Sequence, residues 1–348
     1  MTKPEHEKTM SMRIPFEQLR AALACCLRGR GFAEERAARC AFLIAENDLV
    51  GVSSHGVNRL ARFVESVDRG WVDPQASPKR ISVHGSIERW DGRLGAGPLN
   101  AETCMKRAIH IARRAGMGCV ALRNTNHWMR AGAYAWHAAE QGFPALCATN
   151  TEPNLPPWGS QDAKLGNNPL AMAVPRENAQ HVLFDGAMSQ FSYGTLERAA
   201  RHRERLSIPG GYDTAGNLTD NPAEILRSRR ALPIGYWKGS GLSFLLDLLI
   251  TLLSAGQSTR ELGQQEAEYA VSQIFIAFDR SMIDAEVLSG IEESIADLHS
   301  ASALGDKPVT YPGERLYRRR QHNLEHGVPV EEGIWEEIAK GPNAYREA

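Results

Sequence analysis

The stretch Gly51-Val52-Ser53-Ser54-His55-Gly56-Val57-Asn58-Arg59 separates two runs of helical periodicity and decides how the first part of the chain is read. Ser53 or Ser54 is placed to cap a following helix, in which Val57, Leu60, Ala61 and Val64 recur at helical spacing and Gly70 marks a stop. On that reading His55 and Arg59 share one helix face. An imidazole beside a guanidinium suits reduction of a carbonyl next to a carboxylate. The imidazole protonates the developing alkoxide, and the guanidinium grips the acid as a fork. A surface helix with a polar first turn is the plainer reading of the same residues.

Upstream, Phe16, Leu19, Leu23 and Leu27 mark one helix, and Ala37, Cys40, Ala41 and Ile44 a second, so the N-terminal part is a helical layer. Downstream the pattern changes. Ile81–His84 and Ile87–Trp90 flank Gly85-Ser86 as a hairpin. Helices over Asn100–Ala115 and Trp128–Gln141 then alternate with strands over Gly118–Leu122 and Ala145–Thr149, followed by strands at Leu170–Val174 and Val182–Asp185. This alternation predicts an α/β domain. A Gly-, Pro- and charge-rich excursion follows, with helical pieces at Leu196–His202 and Pro222–Arg229. Ser272–Phe278 reads as a strong strand, and helices are expected at Glu286–His299, after Gly313-Glu314 and at Glu331–Lys340.

A chain of 348 residues with a net charge of −1 can bury a sizeable core and shows no broad footprint for nucleic acid or membrane. Cys25, Cys26, Cys40, Cys104, Cys119 and Cys147 form no Cys-x-x-Cys pair and are expected as reduced core residues of a cytoplasmic protein. Met1–Ser11 is a polar tail with no apolar signal region. The apolar run Leu242–Ala255 is too short to span a bilayer and contains Asp247, so a buried helix is expected.

No Gly-x-Gly-x-x-Gly follows a strand, and no phosphate-binding lysine loop is present. No metal-ligand spacing or serine-nucleophile elbow appears either, so no metal is expected. Gly235-Tyr236-Trp237-Lys238-Gly239-Ser240-Gly241 leads into the apolar helix. Trp237 is able to lie against a flat ring and Lys238 to meet a phosphate or carboxylate, or the stretch is a glycine-rich helix entry. Arg123–His127 joins a strand to a helix, where ligands gather in α/β folds, although Asn126 also suits a cap there. Asn167-Asn168-Pro169 is a turn whose amides either hold a ligand or steady the turn. Asp185, ending a strand beside Gly186, Ala187 and Ser189, is placed to orient His55 or to cap a turn.

Several motifs occur in order: Ser54–Arg59, Arg123–His127, Pro156-Pro157-Trp158-Gly159, Gly166–Pro169, Phe191-Ser192-Tyr193-Gly194, Gly235–Gly241 and Pro312-Gly313-Glu314. Together they resemble the malate/L-lactate dehydrogenase family that lacks a Rossmann fold, from about Phe16 to Trp335. The resemblance implies a mixed α/β architecture, with a non-Rossmann nicotinamide-binding sheet domain (76–187 and 266–314) beside helical parts (1–75, 188–265 and 315–348). The 188–265 excursion is expected to pack with the N-terminal part. The resemblance also implies a homodimer with its active site near the subunit boundary. His55 would be the proton donor, with Arg59 and Asp185 completing the catalytic set. Ser54, Arg59, His127 and Asn168 would meet substrate. His181, Val182, Leu183, Phe184, Asp185, Gly186 and Ala187 would hold the cofactor with Trp237, Lys238, Gly313 and Glu314. That segment lacks an arginine, so NADH is preferred over NADPH. The implied reaction is NADH-dependent reduction of a 2-oxo acid, foremost a sugar-derived 2,3-diketo acid. Malate, lactate, ureidoglycolate and cyclic imines are alternative substrates, and a non-catalytic ligand-binding protein on the same fold is the alternative outside enzymes. Joint retention of His55, Arg59, Lys238 and Asp185 argues against the last. The chain departs from the family's frequent Asp-Met-Ala-Thr-Ser at Gly186 and Met188 and from its Gly-Thr-Asn-Pro at Asn167, while the direct Gly313-Glu314 junction departs from one branch of the family and matches others.

Overall fold

The computed structural model describes residues 11–345. The expected N-terminal tail lies outside them except for Ser11, which opens a strand. In chain order the elements are β1 (Ser11–Ile14), α1 (Phe16–Arg28), α2 (Glu34–Leu49), α3 (Leu60–Asp68), β2 (Lys79–His84), β3 (Ile87–Asp91), α4 (Gly97–Ala115), β4 (Met117–Thr125), α5 (Ala131–Glu140), β5 (Ala145–Thr149), β6 (Leu170–Val174) and β7 (Val182–Gly186). Then follow α6 (Tyr193–Arg201), β8 (Gly211–Tyr212), β9 (Leu218–Thr219), α7 (Pro222–Ser228), α8 (Trp237–Ser254), α9 (Thr259–Leu262), β10 (Val271–Phe278), α10 (Ala285–Ser300), α11 (Glu314–His326), β11 (Val328–Glu331) and α12 (Glu332–Ala339).

The chain divides into two compact units. One runs up to Gly70 and resumes at Leu316; the other is Trp71–Arg315. In the first, α1 and α2 bury Leu19, Leu23, Leu27, Cys40 and Ile44 against each other's layer, and β1 pairs antiparallel with β11. The buried guanidinium of Arg30 donates to the carbonyls of Pro342 (2.9 Å) and Ala344 (2.5 Å), tying the C-terminal end to α1. These charge-assisted bonds satisfy a cation that burial alone would penalise.

The second unit is built on a seven-stranded sheet in the order β2-β3-β4-β10-β5-β6-β7. Strand–helix alternation would suggest a largely parallel sheet, but only β3 and β4 pair in parallel. The reason is β10. It returns after the long excursion and enters antiparallel between β4 and β5, separating two strands that otherwise run the same way. Its apolar run, with Ile274, Phe275 and Ala277 buried, suits the centre of a sheet covered on both faces. Phe275 meets Trp128 at 5.7 Å between ring centroids, and Trp128 meets Tyr134 at 5.8 Å, which fixes α5 on the sheet. Gly118 permits the close seating of β4 under α4, since a Cβ there would lie 2.1 Å from the Ala108 carbonyl oxygen. In the 188–265 excursion, Met188, Leu196, Leu206, Ile225 and Ile250 share a core with Ala121, Ala148 and Ile274 of this sheet.

Helix α8 departs most from expectation. The sequence reads as a buried helix, yet its buried residues are Gly239, Ser240, Ser243, Leu246, Asp247, Ile250 and Ser254. Leu242, Phe244, Leu245, Leu248, Leu249 and Leu252 are exposed. Polar bonds hold the inner face. The Asp247 carboxylate accepts from the Asn150 amide (3.0 Å) and from the Thr259 backbone N–H (2.8 Å).

Candidate active site

In the first unit, Ser53–His55 and Val57–Arg59 are two short 3-10 turns, and the α-helix begins only at Leu60. His55 and Arg59 therefore do not share an unbroken helical face, and neither serine caps the helix. The end of α2 explains the difference. Asp48 accepts the Val57 backbone N–H through Oδ2 (2.8 Å), and Asn47 donates from its amide to the His55 carbonyl (2.9 Å). Gly56 lies against that carboxyl so closely that a Cβ would fall 1.9 Å from Asp48 Oδ2. Ser54 Oγ turns instead to His55 Nδ1 at 3.0 Å.

Asp48 and Asn47 were not singled out from sequence. The available signal was periodicity: Ala37, Ala41, Ile44 and Asp48 fall on one stripe, which places a carboxylate on the apolar face. Burial pushes the Asp48 carboxyl well above its ordinary range, with the Val57 N–H only partly opposing it. A raised folded pKa contributes stability that is complete below the unfolded value and is lost as pH rises through the folded one. Asp48→Asn mimics the neutral form at every pH. It should therefore melt higher than the wild type at neutral pH, with the gap closing toward about pH 4, where an unfolded aspartate is itself protonated. Thermal melts across that range test this, and a lower melting temperature for the Asn variant at neutral pH would refute it.

In the second unit the segment from His181 to Ala187 runs along β7, an edge strand of the sheet. His181 is buried, and its Nδ1 accepts the Arg176 backbone N–H at 3.0 Å. Desolvation, reinforced by the Arg176 cation, lowers its pKa, so the ring is neutral with its proton on Nε2. That Nε2 is buried with no hydrogen-bond partner among the described residues. His181 also lines a cavity of about 560 Å³ with Arg176, Glu177, Arg280 and Leu288. An unsatisfied donor beside such a cavity fits a hydroxylated ligand. Gly313, at φ +94°, lies alongside the strand: a Cβ there would come within 2.9 Å of the Leu183 nitrogen, which itself donates to the Pro312 carbonyl at 2.8 Å. Glu314 is buried, and its Oε2 lies 3.0 Å from His299 Nε2.

Asp185 has a partner that sequence did not suggest. Arg130 Nε donates to its Oδ2 at 2.8 Å, and a Cβ on Gly132 would lie 2.4 Å from the same oxygen. His127 is half-buried and its Nδ1 accepts the Met129 N–H at 3.1 Å. This turn, with Met129 at φ +68°, delays α5 to Ala131. Asn126 consequently caps nothing and donates to the Trp71 (3.0 Å) and Leu94 (2.9 Å) carbonyls. Asn168 is a correction. It is fully buried, its oxygen accepts the Thr151 N–H (3.0 Å) and its amide donates to the Ser243 carbonyl (2.9 Å), so it braces α8 and has nothing left for substrate. Trp237 and Lys238 are exposed in the first turn of α8, with the Lys238 ammonium 6.0 Å from the indole centroid.

The family model for malate/L-lactate dehydrogenase matches residues 14–339. The 2,3-diketo-L-gulonate reductase of Citrobacter koseri is 44% identical over 94% of this chain and 99% of its own length. The protein of the same name from Salmonella paratyphi C is 42% identical over the same shares. Among solved structures, malate dehydrogenase from Pyrococcus horikoshii is 28% identical with a TM-score of 0.86 over 98% of both chains. Malate dehydrogenase from Entamoeba histolytica, at 24% identity, shares the fold with a TM-score of 0.91 over 97% of this chain and 99% of its own. With relatives this close over nearly its whole length, the chain belongs to the malate/L-lactate dehydrogenase family and is an oxidoreductase of hydroxy and oxo acids.

Proposed function

We propose that this enzyme reduces 2,3-diketo-L-gulonate to 3-dehydro-L-gulonate with NADH. The observation that carries the reading is the full-length identity of 42–44% to reductases named for that substrate. Bound NADH supplies a hydride to the C2 carbonyl carbon. His55 delivers a proton to the carbonyl oxygen as charge develops there, from the ring nitrogen that Ser54 does not engage. Arg59 grips the substrate carboxylate as a planar fork, holding the carbonyl in place for attack. Asp48 and Asn47 keep the turn that carries both groups in one shape. His181, the β7 backbone through Ala187, Trp237, Lys238 and the Gly313-Glu314 junction form the cofactor contacts, and the neutral His181 ring offers its Nε2 proton to a ribose hydroxyl. His127, between β4 and α5, contributes to the substrate side of the site.

The protein acts as a homodimer in a reducing cytoplasm. The outward leucines of α8 support the assembly, and six free cysteines, five of them buried, support the compartment. The test is NADH oxidation with a panel of 2,3-diketo-L-gulonate, oxaloacetate, pyruvate and a cyclic imine acid. Diketogulonate should give the highest kcat/KM. A higher value with oxaloacetate or pyruvate would move the enzyme to its malate or lactate relatives, and a silent panel with tight ligand binding would argue for a non-catalytic role.

A further inference from the structure

We propose that Glu292 sets the cofactor preference by withholding Arg176 from a ribose 2′-phosphate. The inference rests on the cofactor reading above. Asp185 is paired with Arg130, close in sequence to His127, so the reacting ring belongs at that end of β7. His181 lies four residues back along the strand, about 13 Å at the usual rise per residue, which suits the ribose of the adenosine half. Arg176 shares the cavity wall with His181 there, and it is the buried cation a 2′-phosphate would seek.

That cation is already committed. Its Nε donates to Glu292 Oε1 at 2.7 Å and Nη2 to Oε2 at 2.5 Å, a two-pronged pair. Nη1 donates to the Tyr311 hydroxyl (2.8 Å) and the Gln180 carbonyl (3.1 Å), and the guanidinium lies 5.1 Å from the Tyr311 ring centroid. Glu292 stands one helical turn beyond Leu288, another residue of the cavity wall. A dianionic phosphate entering here would have to displace a carboxylate from its best partner and then sit beside it, with Glu177 also close. A plain ribose hydroxyl makes no such demand and accepts the His181 proton. Arg280 also lines the cavity, but it is exposed, so water and salt screen its charge.

Glu292→Gln removes the competing charge and keeps the shape, while Nη1 still holds the guanidinium by Tyr311 and Gln180. NADH and NADPH affinities are measured by cofactor fluorescence in the absence of substrate, and kcat/KM with each cofactor in its presence. In the wild type NADH should bind more tightly. In Glu292→Gln the NADPH-to-NADH affinity ratio should rise by about ten- to a hundredfold, the scale of one charge-assisted hydrogen bond. Adding Arg176→Ala to that variant should abolish the gain. An unchanged ratio in a variant that still binds NADH overturns the inference and leaves the cofactor reading intact, as does a gain that survives loss of Arg176. Tighter NADPH binding by the wild type also overturns it. A wild type that binds neither cofactor removes the cofactor reading itself.

Discussion

His55→Ala should lower kcat by about a hundred- to ten-thousandfold, the usual worth of a general acid, while leaving NADH affinity unchanged. The expectation follows from the division of labour. Hydride addition places negative charge on the carbonyl oxygen, and an unprotonated alkoxide is too unstable to accumulate without a donor within hydrogen-bond reach. The residues assigned to the cofactor, from His181 to Gly313, are distinct from the Ser54–His55 pair, so removing the imidazole should not reach them. Arg59→Lys is the companion variant. It keeps the charge but loses the fork, and should raise KM more than it lowers kcat. Fluorescence titration with NADH and steady-state kinetics separate the two effects. Near-normal kcat in a folded His55→Ala protein would leave the Ser53–Arg59 turns as structure only.

Much of this architecture was legible because it is local. Helices α1 and α2 follow from the spacing of Leu19, Leu23 and Leu27 and of Cys40 and Ile44, and the β2–β3 hairpin from Gly85-Ser86 between Ile81–His84 and Ile87–Trp90. The place of β10 was not legible. Its composition gives a buried strand, but which strands it separates depends on pairings across more than a hundred residues. The turns around Gly56 are not legible for a similar reason. Helical spacing continues through Val57 and Leu60, but a buried carboxyl from α2 takes the Val57 N–H and stops the helix from starting early. Asn168 shows the limit for site residues. A turn asparagine reads equally well as a ligand or a brace, and only the positions of Thr151 and Ser243 decide. Arg176 and Glu292 lie too far apart in sequence for pattern alone to join them.

Helix α8 leads to the second large effect: Leu245→Asp combined with Leu252→Asp should convert a dimer into monomers at micromolar concentration. These leucines are 63% and 71% exposed in the single chain, and Leu242, Leu248 and Leu249 extend the same outward surface. Full burial of one leucine contributes roughly 1.5–3 kcal/mol, and a twofold interface counts each residue twice. Two buried aspartates per chain would reverse that sign. A lipid surface is the competing occupant, because the helix has 18 residues and a mean hydropathy of 1.2. Against it, Ser243 donates to the Gly166 carbonyl (2.6 Å) and Asp247 is held by Asn150, so the inner face is bonded to the rest of its unit and is not free to enter a bilayer. The substitutions leave that inner face untouched, so the variant should keep its fold by circular dichroism. Sedimentation without detergent should show a wild-type dimer and a monomeric variant with reduced activity. A fully active wild-type monomer would sink the assembly, and a monomer that floats with phospholipid vesicles would assign the leucine face to a membrane instead.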